Sequence, residues 1–265
     1  MTKFIIFGIQ RTGTTFLMSL LNSHPDVFCT HELFIQHMFP EFDEEQHPQA
    51  ISYNLYCKRN SKPDIFIPDN HPLDGIRKSS VLPDDFISNF CKIQGYKAIG
   101  FKLMLNQLSD NIIQSLKKHQ FKFIIIKRMN YLDTYISEKA SGHNKIMHQT
   151  TDTSSELELK QFRLEPFSVC QRLLTLEMST KKLQEIANKF KFENISIEYE
   201  NLVAQPQINI QKICDFLNVK FKDNLKSKYI KLLPKNKEET ILNLDEIRYI
   251  LNNQKTIFDY YKLIE

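Results

Sequence analysis

Two glycines and a run of hydroxyls near the start of the chain define the first chemistry it could do. The segment reads Gly8-Ile9-Gln10-Arg11-Thr12-Gly13-Thr14-Thr15 and follows the apolar run Phe4-Ile5-Ile6-Phe7. A strand, a glycine-bounded loop and a helix in that order bring loop N–H groups and a helix N-terminus to one point, a ready anion site. The chain has only six glycines, so two in one loop is a concentration. The spacing is that of the nucleotide-binding loop G-x-x-x-x-G-K-[ST]. Thr14 stands where that loop has its lysine, and Arg11 supplies a cation instead. Transfer of a γ-phosphoryl group needs the lysine, so this loop suits a 5′-phosphate-type anion better. A glycine turn without a ligand is the plainer alternative.

A second anion site is legible further on. The run Phe121-Lys122-Phe123-Ile124-Ile125-Ile126 is the strongest strand signal in the chain and leads into Lys127-Arg128. An arginine at a strand's C-terminal end faces the crevice where open α/β sheets bind ligands. Ser137 follows nine residues later, in a predicted helix. Arg128 and Ser137 could make a charge-assisted and a hydroxyl contact to one phosphate. Lys127 is a rival cation, and a solvated surface arginine is the alternative.

The sequence Arg11-Thr12-Gly13-Thr14-Thr15 after a strand, then an amphipathic helix, then Ser23-His24-Pro25-Asp26-Val27, resembles the 5′-phosphosulfate loop of PAPS-dependent sulfotransferases. PAPS is 3′-phosphoadenosine-5′-phosphosulfate, which has no γ-phosphate. The Arg128…Ser137 pair is similar to that family's 3′-phosphate motif, with Met129 a departure from it. Ile197-Glu198-Tyr199-Glu200-Asn201-Leu202, with Pro206 and Phe216-Leu217 beyond, resembles another family segment, with Asn201 in place of the usual Asp. The C-terminal Ile241-Leu242-Asn243-Leu244-Asp245-Glu246-Ile247 looks like the ending of bacterial carbohydrate and glycolipid sulfotransferases, the nearest branch in pattern.

The resemblance implies a reaction and a set of roles. A sulfuryl group would pass from PAPS to a hydroxyl of a small-molecule, sugar or glycolipid acceptor by in-line displacement, with PAP leaving. Such a transfer asks mainly for positioning and charge stabilisation. Arg11, Thr12, Gly13, Thr14 and Thr15 would hold the 5′ side of the donor, and Arg11 would also stabilise the leaving phosphate. Arg128 and Ser137 would take the 3′-phosphate. Tyr199 would lie near the adenine, against the alternative of a packed structural aromatic. Glu32, just past Pro25-Asp26-Val27-Phe28, would take the acceptor's proton. His31 is the runner-up, because an unperturbed imidazole titrates nearer neutral pH. Lys102 would contact the bridging oxygen or the acceptor, against the alternative of a snorkelling surface lysine. No metal is implied. The rivals are a P-loop small-molecule kinase, which the missing lysine disfavours, and a PAP-binding protein without catalysis.

The elements that must position these groups alternate along the chain. Strands are predicted at Lys3–Phe7, Val27–Cys29, Tyr96–Met104, Phe121–Ile126 and Asn194–Tyr199. Helices are predicted at Thr14–Asn22, Ser109–Lys118, Asn130–Ala140, Pro166–Phe190 and Pro206–Leu217. That order predicts an α/β fold, here a three-layer P-loop-like one whose central, mainly parallel sheet is flanked by helices. The expectation is a single domain over 1–265. The stretch Glu41–Asp85 holds five of the ten prolines. It reads as an irregular, substrate-side insertion with short helices, within 41–95, lying over the core. Ser141–Gln161 is a second candidate for shaping the acceptor pocket.

Composition excludes other classes. With 42% hydrophobic and 25% charged residues, the chain is neither disordered nor fibrous. A net charge of +4 without a dense Lys/Arg run gives no support to a nucleic-acid partner. No stretch approaches the ~20 apolar residues of a membrane span. The opening apolar run is too short for a signal-peptide core, so a cytoplasmic location is expected. Five cysteines, none close to another in sequence, read as free thiols rather than as disulfides or a metal site. The oligomeric state is left open, a homo-oligomer included.

Overall fold

The computed structural model describes residues 1–34, 47–60, 83–144, 149–150, 161–230 and 237–253. The described chain falls into two compact units. The first comprises Met1–Met129 with Lys182–Ser227, and the second Asn130–Lys181 with Lys228–Glu265.

The first unit is built on five parallel strands. They are β1 (Thr2–Gly8), β2 (Val27–Glu32), β3 (Ala98–Met104), β4 (Lys122–Lys127) and β6 (Asn194–Glu198), in the spatial order β2-β3-β1-β4-β6. Near-continuous apolar runs explain why they lie inside: a parallel sheet covered by helices buries both faces of its strands. β3 is buried along its whole length, and β1 from Phe4 to Gly8. β1 sits centrally, with Thr2–Gly8 opposite Ala98–Met104 and Phe4–Phe7 opposite Lys122–Ile125. Gly100 is required here, since a Cβ at that position would come within 2.6 Å of the Phe4 ring and carbonyl.

The helices follow from the order of connections. From β1 the chain moves one way to β2 through α1 (Thr14–Asn22), and from β3 the other way to β4 through α4 (Asp110–Lys118). Right-handed crossovers therefore put α1 and α4 on opposite faces of the sheet. The divergence of these two connections places a topological switch point at the C-terminal ends of β1 and β3. Ser109 caps α4, its Oγ accepting from the Ile112 N–H at 3.4 Å. The turn after α1 is held by His24. Its Nδ1 accepts from the Asp26 N–H at 3.0 Å, so Nε2 carries the proton and donates to the Lys220 carbonyl at 2.7 Å. α7 (Tyr199–Ala204) and α8 (Pro206–Leu217) close the unit.

The described parts of the stretch expected to lie over the core contribute buried side chains to it. They form α2 (Tyr53–Arg59) and α3 (Asp84–Phe90). Cys57, Phe86 and Phe90 are fully buried. Phe86 meets Phe34 and Tyr53 edge-on at 5.5 and 5.3 Å, and Phe90 meets Phe101 at 5.3 Å. Aromatic side chains among the prolines and polar residues carry the burial of these two helices, which average composition does not reveal. The rest of Glu41–Asp85, and most of Ser141–Gln161, lie outside the described residues.

The second unit holds α5 (Tyr131–Asn144), the greater part of α6 (Pro166–Lys189), α9 (Leu244–Asn253) and the antiparallel pair β5 (Gln149–Thr150) and β7 (Tyr229–Ile230). The Asn243 side chain ties it together, donating to the Leu164 carbonyl and accepting from the Leu164 N–H, both at 2.9 Å.

Candidate active site

At the switch point, the loop after β1 is short and strained. Arg11 has φ +65° and Gly13 φ +93°, left-handed backbone that favours glycine at the second position. The Thr12 hydroxyl folds back to donate to the Ile9 carbonyl at 2.8 Å. The reason both glycines are needed lies in the protein itself. A Cβ on Gly13 would stand 2.3 Å from Cδ2 of Tyr199, and one on Gly8 would stand 2.9 Å from Cγ2 of Thr14. The α1 N-terminus has no side-chain cap and no acidic residue in its first turn. Its positive dipole end is thus left for an anion.

Beside this loop lies a buried charged cluster. Lys102 on β3 is only 1% exposed. Its ammonium donates to Thr15 Oγ1 at 2.8 Å and stands 3.4 Å from Glu32 Oε1. Glu32 Oε2 accepts from the Gln107 amide at 2.7 Å. Burial pushes the Lys102 ammonium below the ordinary lysine value; the Glu32 carboxylate opposes that, and the Arg11 charge adds to it. The neighbouring Cys29 thiol is pushed up by burial, with Lys102 working against the shift.

A bulge sets this geometry. β2 and β3 run in regular register to Thr30 opposite Phe101, then β2 skips a residue, so Glu32 and not His31 lies opposite Lys102. A bulge re-aims a side chain, and here it brings the carboxylate to the lysine. The sequence reading ended β2 at Cys29; the strand in fact runs on through Glu32.

The other strand-end arginine joins the same loop. Arg128 is 6% exposed. It donates to the Arg11 carbonyl at 3.2 Å, and its guanidinium lies over the Tyr199 ring, 5.1 Å from the centroid. Lys127, its rival, donates to Gln184 Oε1 at 3.2 Å instead. Tyr199 also meets Phe16 edge-on at 6.2 Å, so its ring is wedged among the loop, α1 and Arg128.

The sequence model of the sulfotransferase family matches residues 3–223. The chain belongs to the sulfotransferase family. Among curated proteins no match was found. Three solved structures are similar. A sulfotransferase from Alicyclobacillus acidocaldarius is 15% identical, with TM-score 0.49, over 98% of this chain and 99% of that one. The sulfotransferase domain from the curacin biosynthetic pathway is 17% identical, with TM-score 0.46, over 85% and 77%. Mouse sulfotransferase SULT7A1, complexed with PAP, is 15% identical, with TM-score 0.43, over 84% and 60%. The assignment rests on the family match.

In this sulfotransferase, Arg11, Thr12, Gly13, Thr14, Thr15, Glu32, Lys102, Arg128 and Tyr199 all belong to the first unit and gather at or beside the switch point. His31 is buried on β2 within the bulge. Ser137 is buried on α5 in the second unit, and its partnership with Arg128 stays an expectation of the sequence. Lys102 is no snorkelling surface residue, since its charged end is inside. Gln107 escaped the sequence reading altogether. The only available signal was its place three residues after the end of β3, where a short 3-10 turn (Leu105–Gln107) folds it back. Among the described residues there is no group of three His, Cys, Asp or Glu able to hold a metal, and no helix long and apolar enough to cross a membrane.

Proposed function

We propose that this sulfotransferase uses PAPS and moves its sulfuryl group to a hydroxyl of a small-molecule, sugar or glycolipid acceptor. One observation carries the reading. An uncapped helix N-terminus and a carboxylate flank the same switch point, bridged by the Lys102 contacts to Thr15 and Glu32. The first suits the donor's 5′ anion and the second an acceptor's proton. The cradle fits such a donor: the α1 N-terminus, the hydroxyls of Thr14 and Thr15 and the Arg11 charge surround one small loop, with Arg128 at its side. PAPS supplies an activated sulfuryl group whose departure leaves PAP.

The chain's own residues then have separable tasks. The α1 N-terminus and Arg11 stabilise charge on the 5′-phosphate side. Arg128 is assigned the 3′-phosphate by motif, and its hydrogen bond to the Arg11 carbonyl couples that end to the loop. Tyr199, which packs against the loop and beneath the Arg128 guanidinium, is assigned the adenine contact by the same resemblance. Glu32 accepts the proton of the attacking hydroxyl. Lys102, held at Thr15, offers its ammonium to the oxygen that bridges sulfur and phosphate.

Thermal unfolding with PAP and with its 3′-dephospho analogue tests the donor assignment. PAP at 100 times its dissociation constant should add ~2.7 kcal/mol. Arg128→Ala should weaken PAP by about 10- to 100-fold, as the loss of a charge-assisted contact worth ~1.5–3 kcal/mol, and barely affect the analogue. Stabilisation by ATP and not by PAP would overturn the reading.

A further inference from the structure

Gln107 has both ends of its amide assigned. Its Oε1 accepts from the Met104 N–H at 3.0 Å, and its Nε2 lies 2.7 Å from Glu32 Oε2. The side chain is only 1% exposed. A backbone N–H can only donate, so the oxygen must face Met104. The end presented to Glu32 is therefore the NH2 group, and the amide cannot flip without leaving a buried N–H unpaired. The 3-10 turn Leu105–Gln107 exists in this form because the side chain closes it. Strand end, turn and carboxylate are thus one hydrogen-bonded unit.

We propose that Gln107 is a positioning residue that fixes the base for the reaction. It occupies Oε2 of Glu32 and leaves Oε1, the oxygen nearer Lys102 at 3.4 Å, to take the acceptor's proton. The inference rests on the reading of Glu32 as that base. The acceptor's O–H proton passes to Glu32 Oε1 and its oxygen electron pair forms the new O–S bond. The electron pair of the breaking S–O bond departs with PAP. A single defined oxygen matters because proton transfer needs the acceptor hydroxyl within about 2.6–3.2 Å of it, and a freely rotating carboxylate would hold that geometry only part of the time.

The test uses the whole chain labelled with 13C at glutamate carboxyl groups, with the Glu32 signal identified by its loss in Glu32→Gln. Gln107→Met removes the donor. The pH at which Glu32 takes up its proton should rise by about 1 unit relative to the unsubstituted chain, a tenfold change in proton affinity. Gln107→Glu guards against misfolding, since it keeps an acceptor for Met104 while replacing the donor with a second carboxyl. In it the two carboxyls should share one proton to still higher pH. PAP-dependent stabilisation should survive in both variants. A merely structural Gln107 would change the unfolding temperature and leave the Glu32 titration where it was, and that result overturns the proposal. The two readings fail separately. If Glu32→Gln still transfers sulfuryl groups, Glu32 is not the base and both fall. If Glu32→Gln is inactive and the titration does not move, only the role of Gln107 falls.

Discussion

Gly13→Ala tests the wedge that Tyr199 makes against the phosphate loop. Two costs add. The backbone at Gly13 has φ +93° and ψ +12°, and a Cβ in left-handed backbone costs ~1–2 kcal/mol. The new methyl would also stand 2.3 and 2.7 Å from Cδ2 and Cε2 of the Tyr199 ring, an overlap of the kind that costs ~1–3 kcal/mol. The ring is only half-buried and can move, which favours the lower part of that range, so the total comes to ~3 kcal/mol. For a chain of this size that lowers the unfolding temperature by roughly 6–12 °C. A double-mutant cycle separates the parts. Tyr199→Ala removes the overlap and leaves the backbone strain, so the double variant should be more stable than the sum of single effects by ~1–2 kcal/mol. Additivity within ~0.5 kcal/mol would mean the ring does not bear on the loop, and the reasoning fails.

Other perturbations separate the remaining roles. Glu32→Gln should lower the transfer rate by about 10²- to 10⁴-fold, the usual worth of a positioned base, while PAP stabilisation stays; His31→Gln should lower it less, and the reverse order in a steady-state assay would exchange the two. Burial holds the folded Lys102 below its ordinary value of 10.5, so between the two values the unfolded chain binds one more proton and stability rises with pH. Lys102→Met should flatten that rise in urea midpoints measured across the alkaline range, and an unchanged slope would remove Lys102 as its source.

Much of the first unit was legible because its signals are local. Apolar runs closed by Gly8 and Lys127 marked strands that must be covered on both faces, and α1, α4 and α8 carried an end signal in Ser23-His24-Pro25-Asp26, Ser109 and Pro206 respectively. The loop was readable from the spacing of Gly8 and Gly13, although the reason for those glycines was not. A Cβ on Gly13 would meet Tyr199 and one on Gly8 would meet Thr14, residues that no spacing brings together. Glu32 is a candidate from the sequence, but the bulge that sets it opposite Lys102 depends on a strand some seventy residues away. Gln107 was invisible for the same reason: an amide three residues past a strand end has no periodicity, and its meaning comes only from the carboxylate it meets. Long-range polar contacts leave little trace in local sequence, while burial leaves a strong one.

The lysine missing from the loop has a structural counterpart. In a nucleotide-binding loop the cation comes from the residue after the second glycine. Here that residue, Thr14, is buried and packs toward Gly8, so a long charged chain at this position would displace the contact that keeps the loop tight. Positive charge reaches the helix start from the next strand instead, through the Lys102 bond to Thr15 Oγ1. A loop lysine would move with the loop, whereas Lys102 is anchored in a central strand and fixed from its other side by Glu32. The same ammonium therefore touches both Thr15 at the helix start and Glu32 at the end of β2. On the roles proposed for these residues, a cation shared in this way would tie the 5′ anion site to the position of the base. That coupling suits a transfer between two bound partners, because misplacing either one weakens the contacts that hold the other.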